Sequence, residues 1–297
     1  MLYRGLVTMK ELIRKIRHSA LLSQQGFGER LGVSFATVNR WENGKVVPNR
    51  LAQLKLYDFC KLNNIPVYDM LLQRIQDEVD SLKIDEGRTV LFHGSKSGIK
   101  GKIAPISRAA CDFGAGFYMG TEPGQALTLI CDYEESRFYI VSVSTADLNI
   151  MEIPICLDWA MTVAYNRGKM EKLNGTAMYE RYTQRQDNLD LIIGSIADDR
   201  MFYVLDNFFL GNITDQALIN SLSALRLGRQ YVAVTQRGCD NVRIEKEISI
   251  SYLERLVMRD VSEENRAEGI RLANEICRNY RREGFFFDEI IDRFKEL

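Results

Sequence analysis

Val90-Leu91-Phe92-His93-Gly94-Ser95 sets an apolar, strand-forming run directly before a histidine, a glycine and a serine. His93 is one of only two histidines in 297 residues, and the other, His18, falls inside a helical pattern near the N-terminus. A scarce histidine at a strand end, followed at once by Gly-Ser, is poorly explained by packing and marks a candidate site. N-terminal to this string the pattern is helical, and C-terminal to it strands and helices mix without a regular βαβ rhythm. The expected class is therefore α+β: an all-α bundle, then a mixed β-sheet domain with a helical C-terminus.

Working toward the C-terminus, short β-rich runs predict strands over 89–93, 117–120, 137–143, 148–150, 231–234 and 244–250. The apolar run within 190–196 reads as one more, buried strand. Helical spacing predicts helices over 123–131, 157–166, 178–184, 201–210 and 214–225. Ser262 is the expected cap of a last long helix reaching about residue 282, with Gly284 as its stop. No GxGxxG or GxxxxGK[ST] string is present, which disfavours Rossmann and P-loop folds.

Working toward the N-terminus, residues 9–20 carry Leu12, Ile13 and Ile16 at core-facing helical spacing. Ser23 is a fitting cap and Gly32 a fitting stop for a short second helix, and Ser34 and Gly44 bracket a third. Two short helices joined by a Gly-containing turn form the helix-turn-helix layout, whose second helix enters the major groove. Val38 and Trp41 read as core. The polar run QRIQDEVDSLK (73–83) reads as a connector. The expected organisation is a helical domain over 1–73, a linker helix over 74–87, a second domain over 88–255 and a helical extension over 256–297.

A length of 297 residues favours two domains, and 27% charged with 46% hydrophobic residues is ordinary for a soluble protein. No apolar run approaches the ~18 residues of a membrane span, and the N-terminus lacks a secretory core. Six cysteines (60, 111, 131, 156, 239 and 277) show no CxxC or Cys/His spacing, which points to reduced thiols, a cytoplasmic protein and no metal site. Residues 1–75 carry 12 basic against 5 acidic side chains, whereas the remainder carries 27 against 35. A basic module on an acidic body suggests a polyanion partner at one end only.

The string LSQQGFGERLGVSFATVNRWENGKVVP (residues 22–48) resembles the lambda-repressor/Xre family of helix-turn-helix domains, including W-E-N-G-K and the following proline. The likeness extends to about Leu72. By position it implies a phosphate contact for Gln24, base-facing roles for Phe35, Ala36, Asn39 and Arg40, and backbone contacts for Asn43 and Lys45. Arg40 suits a guanine, and Phe35 or Ala36 a thymine methyl. Gly26 and Gly28 depart from helix formers, at ~1 kcal/mol each. A docking or dimerisation module without DNA binding is the alternative reading.

Three further islands, Leu91–Ser95, Asp112–Tyr118 and Arg229–Val234, resemble in order and spacing the H-Y-E group of ADP-ribosyltransferases, which includes the poly(ADP-ribose) polymerases and diphtheria toxin. The likeness covers roughly residues 88–255 and implies a split mixed sheet that binds NAD. It implies that His93 bonds a ribose 2′-hydroxyl, Gly94 offers its backbone to the nicotinamide carboxamide, Ser95 adds a contact there, and Tyr118 stacks on the nicotinamide. Two positions depart: Gln230 stands where the family has its catalytic glutamate, and Leu129 stands about where the polymerases place a second stacking tyrosine. Losing one preorganised electrostatic group costs on the order of 10²–10³ in rate, so chain elongation is not expected.

The resemblance thus implies transfer of a single ADP-ribose from NAD to a macromolecular acceptor, with His93, Tyr118 and Gln230 as catalytic positions. It further implies a bacterial toxin or phage-defence effector, with or without a neutralising partner protein, and a homodimer on DNA; the lack of a long apolar run argues against a membrane partner. A repressor with a degenerate NAD-sensing domain is the alternative. Asp198 and Asp199 read either as carboxylates that orient an acceptor or as the cap of the following helix.

Overall fold

The computed structural model describes residues 2–184, 188–196, 199–224 and 228–295. It is α+β. Five helices open the chain: α1 (Leu2–Ser19), α2 (Gln24–Leu31), α3 (Phe35–Glu42), α4 (Arg50–Leu62) and α5 (Val67–Ser81). They close around Ile13, Ile16, Phe27, Val38 and Leu56, all fully buried, so the apolar stripe read from Leu12, Ile13 and Ile16 is the inner face of α1. No helix among the described residues is long and apolar enough to cross a membrane. The six cysteines are free thiols.

The second half alternates strand and helix. β1 (Arg88–Ser95) and β2 (Phe117–Gly120) are followed by α6 (Pro123–Ile130), β3 (Arg137–Ser144) and β4 (Ile150–Ile153). Then come α7 (Leu157–Asn166), α8 (Ala177–Gln184), β5 (Leu191–Ser195), α9 (Asp199–Phe209) and α10 (Asp215–Ala224). The chain ends with β6 (Arg229–Ala233), α11 (Gln236–Asp240), β7 (Val242–Ile248), α12 (Tyr252–Asn279) and α13 (Phe287–Lys295).

The seven strands among the described residues form one mixed sheet in the order β4-β5-β6-β2-β1-β3-β7, antiparallel except for β4–β5. Its two halves are joined loosely. β1 follows β3 through eight residue pairs, from Arg88↔Ser144 to Ser95↔Arg137, but meets β2 at the single pair Phe92↔Gly120. The sheet therefore splits between β1 and β2, with β4-β5-β6-β2 on one side and β1-β3-β7 on the other. Ile192, Val232, Trp159 and Phe208 form one core and Phe92, Phe138, Ile130 and Met258 another, while a third, with Leu91 and Val141 against Phe117, Met119 and Ile193, runs across the split.

The helical bundle is locked onto the sheet by two elements. α5 runs through the boundary expected at residue 73: Val67 belongs to the bundle core, whereas Leu71 and Ile75 are buried against α6 and α12. The expected connector over 73–83 is thus largely the second half of α5. α12 reaches back, and fully buried Leu253 completes the bundle core while its N–H donates to Gln53 Oε1 at 3.1 Å. Tyr57 on α4 donates to Asp260 Oδ2 at 2.6 Å.

The largest departures from the sequence expectation are at α12 and β4. α12 begins at Ser251, whose hydroxyl accepts from Glu254 N while Glu254 Oε2 accepts from Ser251 N at 2.7 Å. This capping box starts the helix about three turns before Ser262, which is interior. β4 begins at Ile150 rather than 148, because Asp147 turns the chain (φ 60°) and Asn149 O is used by Asp190 N. The helix expected over 214–225 is α10, and residue 225 lies outside the described residues.

Glu254 is 2% exposed and also pairs with Arg74 Nη1 on α5 at 2.8 Å. Nε and Nη2 of Arg74 are buried and have no acceptor among the described residues, so this cation depends on Glu254. Breaking a buried pair from one side typically costs about 3–5 kcal/mol. Glu254→Ala, which also removes the capping box, is expected to lower unfolding stability by at least that much in denaturant titration. A loss below about 1 kcal/mol would show that the pair does not hold the two halves together.

Candidate functional site

The helix-turn-helix surface is assembled from short-range caps. Ser23 Oγ accepts from Gly26 N at 3.0 Å and Ser34 Oγ from Thr37 N at 3.2 Å, and Gly32 takes the left-handed conformation (φ 66°) that stops α2. Gly28 explains its own departure from helix formers: a Cβ there would stand 2.8 Å from Val33 O of the turn. On α3, Phe35, Ala36 and Arg40 are exposed, as are Asn43 and Lys45 beyond it, so five of the seven expected DNA-contacting residues share the surface.

The other two are built into a polar network. Gln24 donates to Glu42 Oε2 at 2.7 Å and accepts from Asn39 Nδ2 at 3.2 Å, while Arg17 clamps both oxygens of Glu42. Asn43 Nδ2 returns to Asn39 O at 2.9 Å. Burial opposes ionisation of Glu42, but the hydrogen bonds from Arg17 and Gln24 outweigh it and hold its carboxyl below the usual range. Glu42 and Arg17 were not among the expected residues; their effect is to fix α3 against α1 and α2.

The second group lies at the split of the sheet. His93 Nδ1 bonds Tyr118 O at 2.7 Å, joining the end of β1 to β2 where the ladder has stopped. A carbonyl only accepts, so Nδ1 carries the proton and Nε2 keeps a lone pair. The ring stacks on Phe117 at 4.2 Å between centroids. Burial lowers the pKa of His93 from 6.5, against a smaller opposing effect of the Tyr118 bond, and favours neutral imidazole.

Tyr118 points to the opposite face of β2 from Phe117. Its hydroxyl donates to Gly114 O at 2.7 Å and accepts from Phe113 N at 3.0 Å, so it ties down the 111–116 loop, and burial raises its pKa. Phe113 is fully buried over Gly194, where a Cβ would stand 2.6 Å from the ring. The same cluster holds Trp159, whose Nε1 is buried with no partner among the described residues.

Gln230 on β6 lies opposite Gly120 of β2 and Gly194 of β5 and is 5% exposed. Its Nε2 donates to Asp112 Oδ2 at 2.9 Å and to Ser195 O at 3.0 Å. Asp112 Oδ1 in turn accepts from Nε of Arg167, the residue after α7, at 3.0 Å, and Asn166 Nδ2 donates to the Asp112 carbonyl at 3.1 Å.

Residues 89–244 match the family described as protein of unknown function (DUF3990), and residues 13–51 match a helix-turn-helix. The chain belongs to the DUF3990 family. Neither the curated proteins nor the solved structures contain a match.

The DUF3990 region brings some expected residues together and separates others. His93 and Tyr118 meet through the Tyr118 carbonyl, but the His93 ring lies on Phe117's side of β2, away from the Tyr118 side chain. Gly94 and Tyr118 each have a contact within the fold beside the role the resemblance implies. The absence of a side chain at Gly94 is required by α6, since a Cβ would stand 2.4 Å from Ala126 O. The Tyr118 hydroxyl is engaged by the loop, and its ring packs against the core of Trp159 and Ile192. Ser95, half-buried, ends β1. Leu129 is exposed on α6. Asp198 lies outside the described residues, and Asp199 opens α9.

Because the folded pKa of His93 lies below its unfolded value of 6.5, the unfolded chain binds more protons between those two values. Stability from this residue is complete above about pH 6.5 and is lost as pH falls through the folded pKa. Thermal unfolding of the wild type should therefore weaken more steeply below about pH 6.5 than that of His93→Gln, which retains a donor for Tyr118 O. Parallel profiles would mean that the imidazole titrates as it does in water.

Proposed function

We propose that the chain joins a DNA-binding helix-turn-helix to a mono-ADP-ribosyltransferase that takes NAD as substrate and modifies a macromolecular acceptor. The observation that carries this reading is the split of the sheet after Phe92↔Gly120, bordered by His93 and Tyr118 and flanked by Gln230 beside Gly120. A neutral imidazole with Nδ1–H fixed on a carbonyl presents Nε2 as an acceptor, which suits a ribose hydroxyl. The β1 residues past Phe92 have no ladder partner in β2, so a ligand edge can take that place.

In the proposed reaction the bond between ribose C1′ and the nicotinamide nitrogen breaks, and its electron pair stays on nicotinamide, neutralising the ring. A nucleophilic oxygen or nitrogen of the acceptor bonds to C1′ and gives up its proton to solvent or a base. The transition state resembles an oxocarbenium ion, so groups that hold the ribose hydroxyls and stabilise positive charge set the rate. Protein and nucleic acid are both suitable acceptors. A toxin or defence effector that represses its own operon as a homodimer and is neutralised by a partner protein is the biological setting this reading favours.

Incubation with NAD labelled on its adenylate half and a cell extract is expected to label a macromolecule with equimolar release of nicotinamide. His93→Ala should lower that release at least about tenfold. Binding of NAD without release would instead favour a repressor that senses NAD, the reading supported by an amide at position 230. For the other half, Arg40→Ala should weaken specific DNA binding by about 1–3 kcal/mol with an unchanged melting temperature. Absence of salt-sensitive DNA binding by the wild type would favour a docking module.

A further inference from the structure

The amide of Gln230 is held in one orientation. Its two close partners, Asp112 Oδ2 at 2.9 Å and Ser195 O at 3.0 Å, can only accept, so both bonds come from Nε2. Both amide protons are thereby used, and Oε1 projects from the other end of the group, with no hydrogen bond among the described residues. An amide that donates to a carboxylate is polarised, and its oxygen becomes a stronger acceptor.

The carboxylate is itself placed with care. The Asp112 side chain is 6% exposed and that of its partner Arg167 is 27% exposed. Arg167 bonds Oδ1 through Nε and Nη2, while Oδ2 faces the amide. The negative charge missing from residue 230 is present one residue removed. We propose that Asp112 is a positioning residue that acts through Gln230, turning Gln230 Oε1 into the acceptor that holds a ribose hydroxyl of NAD; this rests on the ADP-ribosyltransfer reading.

Restoring a glutamate at position 230 would bring two carboxylates within hydrogen-bond distance, and like charges that close force one to take up a proton or move apart. Gln230→Glu alone is therefore expected to melt lower at pH 8 than at pH 5 and not to raise nicotinamide release. Adding Asp112→Asn removes that like-charge pair and should recover part of the melting temperature lost at pH 8, the Ser195 carbonyl still facing the carboxylate. Asp112→Asn alone should lower kcat about tenfold or more with KM for NAD nearly unchanged.

Wild-type kcat in Asp112→Asn, or a Gln230→Glu variant that is stable at pH 8 and faster than wild type, would overturn the assignment while leaving the transferase reading intact. If the wild type binds NAD without turnover, calorimetry replaces kinetics: about tenfold weaker binding by Asp112→Asn supports the assignment, and equal binding overturns it. Neither turnover nor NAD binding by the wild type would overturn both readings together.

Discussion

Glu254 is the group on which the arrangement of the two halves depends. One carboxylate oxygen takes Arg74 of α5 and the other takes the backbone and hydroxyl of Ser251, so a single buried charge both starts α12 and fixes it on α5. A carboxylate this deep is tolerated only when it is hydrogen-bonded, and here three donors reach it. The consequence is directional: once α12 begins at Ser251, Leu253 must enter the bundle core and Asp260 must meet Tyr57 and Lys61 of α4. The bundle is therefore held through α4 and α5, which leaves α3 facing outward.

The same economy of polar groups shapes the split of the sheet. Where the β1–β2 ladder ends, side chains replace backbone bonds: His93 reaches the Tyr118 carbonyl, and the Tyr118 hydroxyl reaches two peptide groups of the preceding loop. Gln230 and Arg167 converge on Asp112 in the same loop. Residues 111–116 have no helix or strand of their own, yet Phe113 is as buried as any core residue, because hydrogen bonds on either side fix the ring over Gly194.

The fold class and most elements were legible from local chemistry. Ser23 and Ser34 with Gly32 and Gly44 define the helix-turn-helix, and β-branched and aromatic runs mark six strands, because caps and strand propensities act over a few residues. The start of α12 was equally local: Ser251-x-x-Glu254 is a capping box, overshadowed by the more obvious acidic turn after Ser262. What could not be read is pairing at a distance. Asp112 was visible as the first residue of its island, but its partners Arg167 and Gln230 lie 55 and 118 residues away. At Gly94 the fold adds a neighbour that the string does not show, the carbonyl of Ala126 on α6. Chain geometry decides such cases, and a sequence string does not contain it.

The placement of Leu253 has a consequence for the order in which the molecule is made. The helical bundle leaves the ribosome first, but one of its fully buried side chains comes roughly 180 residues later. At ~5–20 residues per second, about 10–40 s separate the synthesis of α4 and α5 from the arrival of the residue that completes their core. During that interval the bundle carries an apolar gap, and Gln53 lacks the N–H it later accepts. The outward face of α3 is thus fully supported only in a chain that has already built its seven-stranded sheet.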